Sequence, residues 1–466
     1  MTFQNFVNGV FVPAANGQIL SKIDPSTGLA QSEVADSGLL DVVRAVQAGN
    51  KAYTTWSKTT STERAALLEQ LAQLIDQRAQ DFALACARDL GTPISQTLKT
   101  SVPEAVEHLR FHAQRLRDEP SSSKTEVRHS IGLIGLITPA SEPLVCMTSR
   151  LAAIWAQGNV AILKPSRNTP ETAVLLAQLA NEAGLPAGSL AVLLGRGEQV
   201  GEILVQHPGI STLSFMGSTP TGRKVNQLAS EDLKQIHLSL GAKNSALVFA
   251  GVDLDIVIPK VVSVCVGLFP SRAYQGSRLF IQESIFKQAL ERLKQEFDSL
   301  RVGSAFESST HVGPLPTPSA LKNFDDAVRL AKKENGKFLT TSHVESGGGF
   351  FVNPVLFADL TNCSTLQQDE ILGPLVLASS FKYQHEALKH ANISPYGRAG
   401  YIFESDAEKA EKVANRFETG QIFLNADHAR LSPERKRPLL KASGNLGEGP
   451  LELAQFFSRS TEVSLN

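Results

Sequence analysis

Between residues 62 and 118, apolar positions recur three and four apart. Leu67, Leu68, Leu71, Leu74 and Ile75 alternate with arginine and glutamate, which predicts amphipathic helices. From residue 131 the pattern changes. Short apolar runs, "IGLIGLIT", "VAILKPS", "SLAVLLG" and "ISTLSFMG", read as buried strands. Longer amphipathic runs between them, such as "EPLVCMTSRLAAIWAQGN" and "STPTGRKVNQLASE", read as helices. In "TPETAVLLAQLANEAGLP", Thr169 is the expected N-cap and Pro170 the first helical residue. "KQIHLSLG" and "SALVFA" follow as strands. Buried strands alternating with helices predict a parallel, doubly wound α/β sheet.

A second α/β series starts near 252 and runs to about 432. Its strands are "SRLFIQ", "GYIFE" and "GQIFLN", with helices expected over 284–300, 317–335 and 406–418. Pro259 interrupts the apolar run 254–268, so it either kinks that helix or marks its start. "DEPSSSKTEVRHS" (118–130) is linker-like and suits a short hairpin arm. The tail 453–466 ends in a strand-like segment with no partner in its own neighbourhood. An unpaired edge is costly, so that strand is expected to pair with another subunit.

A length of 466 residues leaves room for about two to four domains. The net charge of −1 gives no reason to expect nucleic acid or a membrane surface as partner. The N-terminal stretch lacks the cationic and apolar regions of a secretory signal. The cysteines Cys86, Cys146, Cys265 and Cys363 are scattered and form no CxxC. Neither a metal site nor a disulfide framework is expected, and a cytoplasmic location fits.

Two stretches suggest a phosphate-bearing ligand. In "FMGSTPTGRKV" a strand ends at Gly217, which permits a sharp turn, and Ser218 opens a helix. The free N–H groups of that first turn suit a phosphate, although a plain turn and cap would use the same residues. "ILKPSRNTP" places Lys164 and Arg167 at a strand's C-terminal end, where open α/β sheets bind ligands. The two stretches are expected on neighbouring strands. A third stretch, "GLFPSRAYQGSRLFIQ" (267–282), puts Ala273 in a loop that suits a nucleophile.

In order and spacing, "GLIGLITP", "LKPSRNTP", "AGLPAGSLAVLLG", "FMGSTPTGR", "LSLGAKNSALVF", "QGSRLFIQESI", "QQDEILGPLV", "ANISPYGRAGYIF" and "GQIFLN" resemble the aldehyde dehydrogenase superfamily over nearly the whole chain. The resemblance implies an NAD(P)-binding domain of Rossmann type over 1–115 and 131–240. It implies a catalytic-type α/β domain over 241–432, and a small β oligomerisation element made of the arm 116–130 and the tail 453–466. It further implies a homodimer or homotetramer. Family members attack an aldehyde with a cysteine thiolate, pass hydride to nicotinamide and hydrolyse the thioester with a glutamate base, while an asparagine stabilises the oxyanion.

The chain departs from that pattern at three positions. Ala273 stands at the nucleophile, Ser239 at the base and Ser141 at the oxyanion asparagine, with Ala140 beside it in place of tryptophan. Phe269-Pro270-Ser271-Arg272 also replaces the family's loop before the nucleophile. A single engineered cysteine-to-alanine change explains Ala273 alone. Cys265 and Cys146 fall within helices and read as inert core thiols. His237 shares a strand face with Ser239 and reads as a packed histidine.

Cofactor positions are better kept. Lys164, Gly217, Ser218 and Glu370 match residues that in the family contact the adenosine ribose, pyrophosphate and nicotinamide ribose. Arg167 replaces a residue that is often glutamate, which suits a 2′-phosphate and hence NADP over NAD. The expectation is a family member without thiol-dependent oxidation that retains NADP(H) or NAD(H) binding and takes no metal. The alternative is an active NAD(P)-dependent oxidoreductase with unfamiliar residues, for instance one reducing a carbonyl without a covalent adduct. An open cavity lined by Ala273, Ser141 and Ser239 with converging donors favours the alternative. A cavity filled by Arg272, Tyr274 and Phe269 disfavours it.

Overall fold

The structure, a computed structural model, describes residues 1–118, 126–266, 273–340, 348–427 and 433–462. Two seven-stranded sheets organise the chain. In the first, the strands Leu133–Ile137, Val160–Lys164, Leu190–Val192, Thr212–Met216 and Gln235–Ser239 run parallel. Their spatial order, counted by chain position, is fifth, fourth, first, second, third. The chain thus moves outward in one direction and then returns past its starting strand to continue in the other. This reversal opens a crevice between the C-terminal ends of Leu133–Ile137 and Thr212–Met216, the topological switch point. The strands are nearly all buried because helices such as Pro143–Ala156 and Pro170–Glu182 cover them.

In the second sheet, Val355–Ala358, Leu375–Phe381, Arg278–Gln282, Ser245–Val248, Ala399–Phe403 and Gln421–Leu424 are parallel neighbours in that order. The short strand Lys337–Phe338 adds an antiparallel edge. The expected helices lie at Glu283–Ser299, Pro318–Lys333 and Ala407–Ala414. Pro259 sits inside the helix Leu254–Val266 and does not start it.

Several expectations need correction. The strand Leu133–Ile137 lies between the strands that carry Lys164 and Gly217, so those two stretches are not neighbours. Thr169 occupies the N-cap position, yet its hydroxyl bonds back to Ser166 O and caps nothing. Residues 119–125 of the expected hairpin arm lie outside the described residues, and Glu126–Ser130 pairs antiparallel with Ser458–Glu462, so the tail strand finds a partner within its own chain. The N-terminal strands between Thr2 and Ala35 add to the expected ones, and their one clear sequence signal is Asn8-Gly9, both at positive φ, which turns Asn5–Val7 into Val10–Val12. They are two to six residues long: Asn5–Val7 and Val10–Val12 complete the first seven-stranded sheet beside Leu190–Val192, and Thr2–Phe3, Ile19–Ile23 and Ala30–Ala35 form a separate three-stranded sheet.

Candidate functional site

The loops after the two switch-point strands open into one cavity of about 830 Å³. Pro139, Ala140 and Ser141 enter from the first strand, Gly217 and Ser218 from the fourth, and Ser239 and Leu240 from the fifth. The second sheet contributes Ala273, Tyr274, Glu370 and Arg398. Ala273, Ser141 and Ser239 therefore share a space with Gly217, Ser218 and Glu370. Arg272 and Phe269 fall outside the described residues. Tyr274 lines the cavity without filling it.

Asn244 holds the loop that carries Ala273. Its amide donates to Ala273 O at 2.9 Å and to Gln275 O at 3.0 Å. The Tyr401 hydroxyl donates to Tyr274 O at 2.7 Å. With its backbone fixed at both residues, the loop presents a methyl group at 273 and a phenol at 274. The Ser141 hydroxyl has no hydrogen-bond partner among the described residues, so it is available to a ligand.

Sequence reasoning missed the centre of the polar wall, Glu448. The carboxylate is buried and takes four side-chain contacts. Arg150 Nη2 donates at 3.0 Å, Ser239 Oγ at 2.7 Å and Tyr274 OH at 2.8 Å, and Arg398 Nη1 completes the set. Arg398 Nη2 also donates to Ser239 Oγ at 3.0 Å and to Leu240 O at 2.7 Å. No local signal marks Glu448, because its partners lie far away in sequence. Burial alone would raise its pKa, but Arg398 and Arg150 hold it well below the usual carboxylate range.

That environment settles the role of Ser239. Its proton points to a carboxylate too weak to remove it, so the hydroxyl is not an activated nucleophile. His237, the other candidate beside it, donates from Nε2 to Gly447 O at 2.9 Å and packs on Phe456. Burial lowers it to about 4, with Arg150 adding to the effect, and it is a packed strand histidine.

Cys146 also lines the cavity, on the first turn of its helix, and its thiol donates to Ser141 O at 3.3 Å. Burial and then Glu142 push it up to about 12. Burial likewise raises Cys265. Neither is a thiolate at neutral pH. The phenol of Tyr274 is pushed up by burial and by Glu448, so it keeps its proton.

At the cofactor positions, Ser218 N-caps the helix Thr219–Ser230 by position only; its hydroxyl meets Thr221 Oγ1 at 2.9 Å. A side chain at 217 would meet the tip of the Phe215 ring at 2.8 Å, so a larger residue there would have to displace that ring. Glu370 reaches Ala242 N at 3.4 Å, and burial raises its carboxyl despite that bond. Lys164 gives the clearest sign of a ligand. Its side chain is buried and makes no hydrogen bond or ion pair among the described residues. Burial lowers it to about 8, opposed by Glu198 and assisted by Arg167. An orphaned buried cation fits an anionic ligand group. Arg167 is exposed at the rim. Lys164 and Arg167 do not line the main cavity but stand beyond the intervening strand.

Among the described residues, no cluster of histidine, cysteine or carboxylate side chains is placed to hold a metal. No helix among them is long and apolar enough to cross a membrane.

Known proteins share this fold. Human 2-aminomuconic semialdehyde dehydrogenase is 30% identical over 489 aligned positions, spanning 100% of this chain and 98% of its own. The NAD+ complex of a Bacillus cereus aldehyde dehydrogenase superposes with a TM-score of 0.95 at 26% identity, over 100% of this chain and 97% of that one. An indole-3-acetaldehyde dehydrogenase complexed with NAD+ superposes at 0.94 with 27% identity, over 99% and 97%. A cysteine-to-alanine mutant of the P. syringae indole-3-acetaldehyde dehydrogenase, in complex with NAD+ and IAA, superposes at 0.93 with 27% identity, over 99% and 96%. The family profile described as "Aldehyde dehydrogenase family" matches residues 11–461. With fold, crevice and sequence all in agreement along its length, the chain belongs to the aldehyde dehydrogenase family.

Proposed function

We propose that the chain is a nicotinamide-dependent oxidoreductase that reduces an aldehyde by direct hydride transfer, without a thiol adduct. The observation behind this reading is the open cavity in which Gly217, Ser218 and Glu370 face the same space as Ser141, Ala273 and Tyr274. The balance is aldehyde, NAD(P)H and one proton giving a primary alcohol and NAD(P)+. A nicotinamide bound there supplies the hydride. The Ser141 hydroxyl, which has no other partner, donates to the carbonyl oxygen. The Tyr274 hydroxyl, whose proton rests on Glu448 in this structure, turns from that carboxylate to protonate the developing alkoxide. The Arg398 guanidinium, 5.7 Å from the Tyr274 ring centroid, steadies the phenolate that remains.

The direction follows from the acid–base inventory. Oxidation needs a nucleophile to make a tetrahedral adduct, or a base to draw a proton from the aldehyde hydrate. Position 273 offers a methyl group. Glu448 is held too acidic to serve as base, Tyr274 and Cys146 keep their protons, and Glu370, raised by burial, is engaged by the nicotinamide ribose in this reading. Reduction needs only donors and an acid, and the cavity has both.

The orphaned Lys164 supports a dinucleotide, as do the relatives in complex with NAD+. Lys164 with Arg167 favours NADP(H) over NAD(H). In this reading the first sheet, within 1–115 and 131–240, is the cofactor domain. The second, within 241–432, is the catalytic-type domain. The ribbon of arm (116–130) and tail (453–466) joins subunits into a homodimer or homotetramer in the cytoplasm.

Ala273 itself favours a second reading, a protein that binds cofactor and ligand without turnover. The alanine mutant relative in complex with NAD+ and IAA supports retention of both ligands. One experiment separates the two. Purified protein is given NADPH or NADH with aliphatic and aromatic aldehydes, and nicotinamide absorbance is followed. Aldehyde-dependent oxidation of the cofactor that falls by ~10²–10⁴ in Tyr274→Phe supports the reductase. Cofactor binding with no turnover of any aldehyde supports the second reading.

A further inference from the structure

Residues 241–244 bridge the two sheets, joining the strand Gln235–Ser239 to Ser245–Val248. The bridge carries two buried polar side chains in succession. Asn244 is fully engaged, with Ala273 O, Gln275 O and Ala399 N. Lys243, beside it, is 2% exposed, and its Nζ is buried with no hydrogen-bond partner among the described residues. An ammonium removed from water is costly unless an opposite charge stands near.

The charges that act on Lys243 are Arg278, Glu370 and Asp369. Arg278 repels it. That guanidinium rests on the last carbonyls of the helix Gln384–Asn392, donating to His390 O at 3.1 Å and Ala391 O at 2.8 Å. Asp369 and Glu370 attract it from the loop after the helix Thr365–Gln368, and both line the cavity. Glu370 lies against the bridge itself. Ala242 N donates to its Oε1 at 3.4 Å, and a side chain at Gly241 would meet its Oε2 at 2.7 Å. Glycine at 241 therefore admits the carboxylate two residues before Lys243. The other groups facing Glu370 are Arg398 and the phenol of Tyr396. Arg398 is committed to Glu448, Ser239 and Leu240 O. Lys243 is the cation beside Glu370 that has no hydrogen bond elsewhere.

We propose that Lys243 is a positioning residue, whose ammonium is the counter-charge that holds the Glu370 carboxylate against the bridge, where it meets the nicotinamide ribose of a bound cofactor. The ribose contact rests on the reductase reading, whereas the ion pair does not. Burial works against both charges: it raises Glu370, and with Arg278 it lowers Lys243 to about 7. Each charge then favours the other. The effect of Lys243 on Glu370 should be full below about pH 7 and fade above it, as the ammonium loses its proton.

The first test needs no cofactor. Carbodiimide with an amine couples to a protonated carboxyl, and Glu370 lines a cavity that the reagent can enter. Labelling of Glu370 in the full chain is followed by mass spectrometry from pH 4 to 8. Its half-labelling pH should rise by about one unit or more in Lys243→Met. Lys243→Arg keeps the charge and should leave it in place. Lys243→Gln, which can hydrogen-bond where methionine cannot, serves if the methionine variant does not fold. The second test is NADPH binding by fluorescence. Relative to the unsubstituted protein, Lys243→Met should bind at least about threefold more weakly at pH 6.5 and equally at pH 8, where Glu370 is ionised in both. An unmoved half-labelling pH in both uncharged variants, or an equal rise in Lys243→Arg, overturns the ion pair. A loss of affinity that is the same at both pH values overturns the positioning role. A raised half-labelling pH in a protein that binds no nicotinamide cofactor supports the ion pair and sinks the reductase reading alone.

Discussion

Replacing Glu448 by glutamine should be among the most destabilising single changes at the cavity. The carboxylate is the shared acceptor of Arg150, Arg398, Ser239 and Tyr274, all of them buried. Glutamine keeps the shape but removes the charge, and it turns an amide toward at least one donor. Breaking a buried ion pair by removing one partner costs about 3–5 kcal/mol, because the other charge stays behind. Here two guanidiniums stay behind, so the upper half of that range is expected. Urea unfolding followed by tryptophan fluorescence reads the loss as a lower midpoint at unchanged slope. Arg398→Met in the Glu448→Gln background removes one stranded cation, so the double variant should recover part of the loss. The coupling expected for groups in contact is about 0.5–3 kcal/mol. A loss below about 1 kcal/mol for Glu448→Gln, with the two changes strictly additive, would refute the cluster as drawn. The same carboxylate fixes an acid limit. Its folded pKa is depressed, so its stabilisation is fully present above the unfolded value of about 4.3 and is lost as pH falls toward the folded one. Glu448→Gln should therefore flatten the stability profile below about pH 5.

Other outcomes follow from the same site. Ala273→Cys alone should not produce aldehyde-dependent NAD(P)H, because Ser239 cannot act as the thioester base; steady oxidation at ~1 s⁻¹ or more would show that the lost nucleophile was the only defect. A thiol reagent at pH 8 should label the exposed Cys363 quickly and leave Cys86 and Cys146, both raised to about 12, and the buried Cys265 untouched until the protein unfolds. Rapid native labelling of Cys146, located by mass spectrometry, would reopen it as a displaced nucleophile. If Lys164 and Arg167 hold a 2′-phosphate, NADP+ should bind at least about tenfold more tightly than NAD+, and Arg167→Glu should reverse the order. Lys164 titrates at about 8, so NADP+ affinity should fall by about tenfold from pH 7 to 9 as the ammonium is lost. A flat profile in calorimetry would remove Lys164 from the phosphate site.

The local features of this protein were written in its sequence. Apolar runs bounded by glycine and proline marked the strands 133–137, 160–164 and 212–216, because a strand covered on both faces has no polar positions to alternate with. The motif order identified the family, and position 273 is an alanine. Features made by long-range pairing were not legible. Glu448 meets Arg150 across 298 residues and Arg398 across 50, and neither separation has a periodicity to read. Strand order decided that Lys164 and Gly217 stand apart, since the chain returns past its first strand before placing the fourth. The tail 458–462 looked unpaired because its partner, 126–130, lies more than 300 residues earlier. Residue type and spacing specify what a segment becomes, whereas which segments meet depends on closing the whole chain around its two sheets. The alanine at 273 was therefore visible from the sequence, and the paired guanidiniums facing the same cavity were visible only in the fold.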